Sequence, residues 1–489
     1  MAFWGFQHRN VLVAAILWEV DKPKFSRHTD PQTTARNLGG LQDIMTKSTV
    51  TPKRSIQASP SAFPNDATIL CGRDKSLTHR AVMFAALARG ETIIREPLLG
   101  ADCLSTMSCF RALGVQIDAL DARSIRVRSE GFAAFKTPTV DLDCGNSGTT
   151  ARLISGILAA QAGLKVRLTG DASLSSRPMR RVVDPLRRMG AVIDGGEQGN
   201  FLPLSIQGQK LQALSHEVDK ASAQVKSALL LAGLFCEGET SVRLPAGSRD
   251  HTERMLQRMG AKLVSEIHDG VETVRVQGPF APPPGRYMIP VDPSSAAFFC
   301  VLGLLRKGGT LRLPEVLDNP TRTGFLKVLQ RMSSALTLTP ENDQRFVEPV
   351  MQISLQGGES LRPTDIEAAE VPTLVDEIPV LAVAAAFADG PSTFHGLEEL
   401  RVKESDRLSK TAELLRLAGA EVSVQGDSLK IAGRLREVQS FTYDSVGDHR
   451  LAMAAAIMAR RSKKPCCILD SECVGVSFPD FYEMLDSIV

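Results

Sequence analysis

A chain of 489 residues, 43% hydrophobic and 23% charged, is longer than one hydrophobic core normally serves, so two domains are expected. Its formal net charge of +2 provides no overall field to attract nucleic acid or a membrane surface, and no apolar run reaches the roughly 18 residues that span a bilayer. Nine cysteines, an odd number with no C-x-x-C pair and no Cys/His cluster, argue against a disulfide framework or a metal site and for a reducing, cytoplasmic setting.

Residues 1–65 differ from the rest. A short apolar stretch, Val11 to Trp18, is followed at once by Glu19 and Asp21, then by a polar run rich in Ser, Thr, Pro and basic residues as far as Pro64. No small-residue cleavage pattern marks a signal peptide. The segment is expected to be a disordered N-terminal extension, with a start at Met45 as the alternative.

Beyond it the chain repeats itself. An apolar helical run, a glycine-containing turn and a short β-rich run recur as Arg80–Ile94, Thr150–Leu168, Lys226–Leu244, Ser295–Leu313, Ile378–Phe394 and Arg450–Leu469. The spacing is roughly 70 to 80 residues. Each copy is followed by a more amphipathic helix, often stopped by glycine: Cys103–Gly114, Met179–Gly190, Thr252–Gly260, Arg322–Ser334, Asp406–Gly419 and Phe478–Ile488. Such an α/β unit cannot bury its helices alone, so six must pack together, three per domain. The cluster Pro282-Pro283-Pro284-Gly285 falls midway, where a linker belongs.

Polar motifs sit at the starts of these helices. Ahead of the first set lie Asp74-Lys75-Ser76-Leu77-Thr78-His79-Arg80, Gly145-Asn146-Ser147-Gly148-Thr149-Thr150, Ser222-Ala223-Gln224-Val225-Lys226, Asp292-Pro293-Ser294-Ser295, Asp376-Glu377 and Gly447-Asp448-His449-Arg450. Ahead of the second set lie Ser173 to Pro178, Ser248-Arg249-Asp250-His251 and Arg401-Val402-Lys403-Glu404-Ser405-Asp406-Arg407. Ser, Thr, Asn and Asp there serve as ordinary caps. Capping does not need Lys or Arg, and cations at the positive end of a helix are unfavourable unless an anion compensates. Lys75, Arg80, Arg177, Lys403, Arg407 and Arg450 therefore point to anion sites, with arginine offering a fork matched to phosphate or carboxylate. Asp376 and Glu404 lie in this basic setting and are candidates for proton transfer, while ion pairing with arginine is the plainer reading for Asp406. The scattered histidines have no metal-ligand spacing, and Gly145-Asn146-Ser147-Gly148 lacks the spacing and lysine of a nucleotide-hydrolysing loop.

Taken together and in this order, the motifs resemble the 5-enolpyruvylshikimate-3-phosphate synthase (3-phosphoshikimate 1-carboxyvinyltransferase) family over about residues 67 to 489. The resemblance implies a two-domain inside-out α/β barrel in which each domain has three βαβαββ-type repeats around a pseudo-threefold axis. It places the first domain at 73–285 and the second at 66–72 plus 286–489, with the active site between them. It implies transfer of the enolpyruvyl group of phosphoenolpyruvate to the 5-hydroxyl of shikimate 3-phosphate by addition and elimination, without a cofactor or metal, in a cytoplasmic monomer of the shikimate pathway.

By the same resemblance shikimate 3-phosphate is held by Lys75, Ser76, Arg80, Ser222, Gln224, Ser248, Asp376 and Lys403. Phosphoenolpyruvate meets Lys75, Gly148, Arg177, Gln224, Arg407 and Arg450, and Lys75, Asp376 and Glu404 handle protons. Gly148 keeps the glycine whose change to alanine narrows the phosphoenolpyruvate site in glyphosate-tolerant relatives, so competitive inhibition by glyphosate is expected. Three positions depart from the usual pattern: Arg73 stands for glycine, Ala223 for serine and Val476 for a lysine, the last resembling the class II branch. The alternatives are the sister transferase acting on UDP-N-acetylglucosamine and a non-catalytic scaffold that binds anions.

Overall fold

The computed structural model describes residues 53–56 and 66–488. The rest of the expected extension, including the apolar stretch and Met45, lies outside the described residues. The extension is nevertheless structured in part: Lys53–Ile56 forms a strand antiparallel to Cys466–Leu469, with Lys53 opposite Leu469 and Ile56 opposite Cys466.

The helices come in the expected pairs. They are α1 (Lys75–Leu87) and α2 (Ala101–Ala112), α3 (Gly148–Ala159) and α4 (Arg180–Arg188), α5 (Ala223–Gly233) and α6 (His251–Arg258). In the second half they are α7 (Pro293–Leu304) and α8 (Gly324–Met332), α9 (Ile378–Phe387) and α10 (Arg407–Leu417), α11 (His449–Ala459) and α12 (Phe481–Ser487). The first member of each pair is apolar nearly all round and is buried accordingly; every residue of α7 and α11 is out of solvent. The second members bury one face only: Val182, Val183 and Leu186 of α4 point inward while its arginines lie on the other side.

Side chains fix most first-helix starts. Asp74 accepts from the Leu77 amide at 2.7 Å, Ser147 from Thr150 at 3.1 Å, Asp292 from Ser294 at 2.8 Å and Asp448 from Arg450 at 3.0 Å. Helix α9 has no such cap and is entered through the 3-10 turn Val375–Glu377. Stops follow the sequence signal in α4 and α10, where Gly190 and Gly419 take left-handed φ values of 104° and 92°.

Each unit wires its strands alike. In the second unit Leu142–Asp143 runs parallel to Lys165–Thr169, which pairs antiparallel with Phe201–Gln207, which pairs antiparallel with Val192–Gly195. The sheet around Gly238–Pro245 has the same order. In the fifth unit the parallel partner shrinks to a single bridge between Ile366 and Phe394. The sixth unit has no hairpin after Cys466–Leu469, and Lys53–Ile56 takes the antiparallel position beside that strand. Strands expose every second residue, as in Phe201–Gln207, so sheets lie outward and apolar helices inward. The molecule is an inside-out α/β fold.

Two buried apolar cores result. One runs from Leu77 to Ile289 and takes in Leu317 and Val347; the other contains Ile56, Ile69, Cys71 and residues from Val291 to Ile488. The chain crosses between them twice. Asp66–Thr68 pairs in parallel with Thr310 to Arg312, and Arg286–Met288 pairs in parallel with Ile93 to Arg95. The crossing segments touch: the Asp74 amide donates to Pro290 O and the Asp292 amide to Gly72 O, each at 2.9 Å. This gives Arg73 a purpose. Its buried guanidinium spans Glu315 at 2.6 Å and Glu96 at 3.3 Å, tying the crossing to a sheet on each side. At the end of the chain α12 docks through Phe481, whose ring centroid lies 5.8 Å from that of Phe299 in α7. No helix among the described residues is long and apolar enough to cross a membrane.

Helices α3 and α5 meet backbone to backbone at Gly156, where a Cβ would lie 2.1 Å from Ala228 O. The neighbour is main chain and cannot step aside. Gly156→Ala is expected to destabilise the fold by about 1–3 kcal/mol in urea unfolding. Parental stability would show that the two helices can separate at no cost.

Candidate active site

Three helix starts of the first half supply cations and amides. Lys75, the first residue of α1, pairs with Asp102 at 3.0 Å, and its backbone amide reaches Asp292 at 3.3 Å. Arg152, one turn into α3, donates to Gln224 Oε1 at 2.9 Å and to Pro178 O at 3.2 Å. Gln224, in the first turn of α5, donates in turn to Thr149 at 3.0 Å. Arg177 is held by Asn146 at 2.8 Å and by Ser173, in the single turn Ala172–Ser175, at 2.9 Å. Arg80 is anchored to Thr252 at 2.7 Å and Ser227 at 3.0 Å.

The second half supplies carboxylates threaded by arginines. Arg407, only 1% exposed, donates to Asp448 at 2.7 Å, Glu404 at 2.6 Å and Asp376 at 3.1 Å. Arg450 approaches Asp376 at 3.5 Å and Glu377 at 3.6 Å. Arg249, from the loop before α6, also pairs with Asp376, so one carboxylate gathers arginines from both halves.

These contacts set the ionisation states. Burial opposes charge on Asp376, but Arg450, Arg249, Lys403 and Arg407 outweigh it and hold its carboxyl well below the usual range. Burial likewise opposes charge on Glu404, and Arg407, Lys75 and Arg177 overcome it. Burial would lower the Lys75 pKa, yet Asp102 and Glu404 outweigh both burial and Arg450 and hold it above the ordinary value. Burial, with Lys75 and Arg450 nearby, pushes His449 down to about 3, so its ring is neutral. At neutral pH the site thus holds ionised carboxylates and an ammonium. Lys75 can give a proton but not take one, and both carboxylates need a change of surroundings before they can hold one.

Lys75, Arg177, Gln224, Asp376, Glu404, Arg407 and Arg450 share this network, directly or through a neighbouring charge. Gly148 opens α3 beside Arg152. Lys403 also acts on Asp376, and it and the other predicted residues have further partners. The Ser222 hydroxyl accepts from the Val225 amide at 3.4 Å, Ser248 donates to buried Glu272 at 3.2 Å, and Lys403 pairs with Glu399. The Ser76 carbonyl accepts from Arg80 at 3.0 Å. Glu404 and Asp406 are both ion-paired with arginine. Asp406 caps α10 through Ser409 at 3.1 Å and meets Arg401 at 3.4 Å.

Sequence reasoning missed Arg152 and Arg249 as members of the site. Arg152 lies inside its helix rather than before it, although its place four residues after Gly148 puts the two on one face. Arg249 stood in a motif already singled out.

The model of the family described as EPSP synthase (3-phosphoshikimate 1-carboxyvinyltransferase) matches residues 65–485. A 3-phosphoshikimate 1-carboxyvinyltransferase of Desulforudis audaxviator is 47% identical over 419 residues, covering 85% of this chain and 95% of its own. One of Synechocystis sp. is 44% identical over 431 residues, covering 87% and 95%. The solved EPSP synthase of Acinetobacter baumannii superposes with a TM-score of 0.79 at 38% identity, covering 89% of this chain and 98% of that one. The enolpyruvyl transferase NikO of Streptomyces tendae shares the fold, with a TM-score of 0.69 at 16% identity and coverage of 90% and 98%.

Proposed function

This chain belongs to the EPSP synthase (3-phosphoshikimate 1-carboxyvinyltransferase) family, and we propose the roles its cleft residues play in that reaction. The enzyme transfers the enolpyruvyl group of phosphoenolpyruvate to the 5-hydroxyl of shikimate 3-phosphate and releases phosphate. We read the two cores as two domains, 73–285 and 66–72 plus 286–489, acting as a cytoplasmic monomer. The observation that carries the site assignment is the convergence of cations from both cores on Asp376 and Glu404.

Phosphoenolpyruvate is taken by Lys75, the Gly148 region, Arg177, Gln224, Arg407 and Arg450. Shikimate 3-phosphate is taken by Lys75, Ser76, Arg80, Ser222, Gln224, Ser248, Asp376 and Lys403. Several of these side chains now bond to one another, so substrate anions replace protein carboxylates as partners of the arginines. That exchange has a chemical consequence. As phosphate and carboxylate groups neutralise the guanidinium groups, the carboxyls of Glu404 and Asp376 lose the charges that keep them ionised, and their pKa values rise toward a range useful for proton transfer. Asp376 then accepts from the attacking 5-hydroxyl. Glu404 and Lys75 deliver a proton to C3 of phosphoenolpyruvate as the 5-oxygen bonds to C2, and recover it as the C2–O bond to phosphate breaks; the phosphate leaves with the proton held by Asp376, its charge stabilised by the arginines.

Phosphate release from phosphoenolpyruvate, measured with shikimate 3-phosphate and with UDP-N-acetylglucosamine as acceptors, tests the function. Turnover is expected with the first acceptor. Turnover with the UDP-sugar alone would overturn the reading, and binding of both substrates without release would favour a scaffold.

Glyphosate is expected to compete with phosphoenolpyruvate. A methyl group at Gly148 would lie 2.5 Å from Arg152 Nη1, the movable end of a side chain, so Gly148→Ala displaces that guanidinium from Gln224. Losing the charge-assisted hydrogen bond that fixes Gln224 predicts a rise of about tenfold in KM for phosphoenolpyruvate and a comparable rise in the inhibition constant for glyphosate. Steady-state kinetics with both constants unchanged would contradict this.

A further inference from the structure

We propose that Arg322 is a positioning residue that fixes Lys75 relative to the second core, holding the proton donor in register with the carboxylates it must work beside. This rests on the functional reading above.

Arg322 lies just before α8 and is 2% exposed. Its guanidinium spans two helix caps that belong to different cores. Nη1 donates to Asp74 Oδ2 at 3.0 Å, and Nη2 donates to Asp292 Oδ1 at 2.6 Å. Asp74 caps α1, whose first residue is Lys75, while Asp292 caps α7 and also accepts from the Lys75 amide at 3.3 Å. The carboxylates that place Lys75 are therefore themselves placed by one cation.

Two further contacts extend the link. Nη1 also approaches His251 Nε2 at 3.0 Å, so that ring nitrogen is the acceptor and Nδ1–H donates to Glu348 at 2.7 Å, bringing the start of α6 to the same cation. On the other side Nη2 donates to Ser294 Oγ at 3.2 Å, and Ser294 donates to Glu377, the neighbour of Asp376. A buried guanidinium with four protein partners cannot touch substrate. Its partners lead instead, through Asp292 to the Lys75 amide and through Ser294 to Glu377, the residue beside Asp376. The planar fork is what allows one side chain to bridge two carboxylates; a lysine ammonium keeps the charge but is a compact point donor on a flexible stem.

Full-length Arg322→Lys and Arg322→Ala separate positioning from stability. Thermal melting gives the folded fraction, calorimetry gives the affinity for shikimate 3-phosphate, and phosphate release gives kcat per folded molecule. Arg322→Lys is expected to stay folded, to lose no more than about tenfold in affinity for shikimate 3-phosphate, which keeps its other ligands, and to lose about 10²-fold in kcat, the scale of a misplaced catalytic group. Millimolar guanidinium ion is expected to restore part of the kcat of Arg322→Ala. Parental kcat in either folded variant, equal losses of kcat and affinity, or unfolding of both variants would overturn the inference. A parent enzyme that releases no phosphate would overturn the functional reading and this inference with it.

Discussion

Changing Glu404 to glutamine is expected to lower kcat by about 10³-fold while leaving the affinity for shikimate 3-phosphate within about threefold, the range in which a positioned acid–base group contributes. Glutamine keeps the length of the side chain and an oxygen that can still accept from Arg407, now at 2.6 Å. It cannot carry the proton. Glu404 is also the carboxylate on which Arg407 from one core, and Lys75 and Arg177 from the other, act together. Removing its charge should therefore change chemistry more than binding. A kcat within tenfold of the parent, with normal phosphoenolpyruvate affinity, would remove Glu404 from the proton path.

Arg407→Ala is expected to have the largest effect on stability. The guanidinium is buried and serves Asp376, Glu404 and Asp448 at once, and burial of its own charge is outweighed by those three, which hold its pKa above the ordinary value. Alanine leaves three carboxylates crowded in a poorly solvated site. Breaking a buried ion-pair network by removing one partner costs about 3–5 kcal/mol, readable in denaturant unfolding. Any folded variant should also lose most of its kcat/KM for phosphoenolpyruvate. Adding Asp448→Asn is expected to return part of the stability, because it removes one uncompensated charge. Parental stability of Arg407→Ala would mean that water or rearranged side chains satisfy the carboxylates.

The architecture was legible because its rules are local. Asp74, Ser147, Asp292 and Asp448 cap the helices they precede, and Gly190 and Gly419 stop the helices they follow. Apolar periodicity identified the buried helices for the same reason. The site was legible in outline, since a cation at a helix start is unfavourable without an anion. What sequence could not show is pairing across distance. Lys53–Ile56 reads as part of a polar extension because its partner strand, Cys466–Leu469, lies at the other end of the chain. Nothing near Ser248 in the chain shows that its hydroxyl meets Glu272, with Lys226 3.0 Å from the same carboxylate group. Arg322 is 248 residues from Asp74, and nothing near it in the chain points to that carboxylate. Arg73 looked like a departure from a glycine pattern, and only the fold supplies Glu315 and Glu96.

A cleft that moves protons as well as binding anions marks its product. Turnover of shikimate 3-phosphate and phosphoenolpyruvate in D2O, stopped at partial conversion, tests it by mass spectrometry of the product. Protonation of C3 followed by loss of a proton passes through a methyl group, so the enolpyruvyl methylene of the product is predicted to carry solvent deuterium. A product formed without deuterium would mean that the group is transferred without C3 protonation, and would contradict the roles given to Lys75 and Glu404.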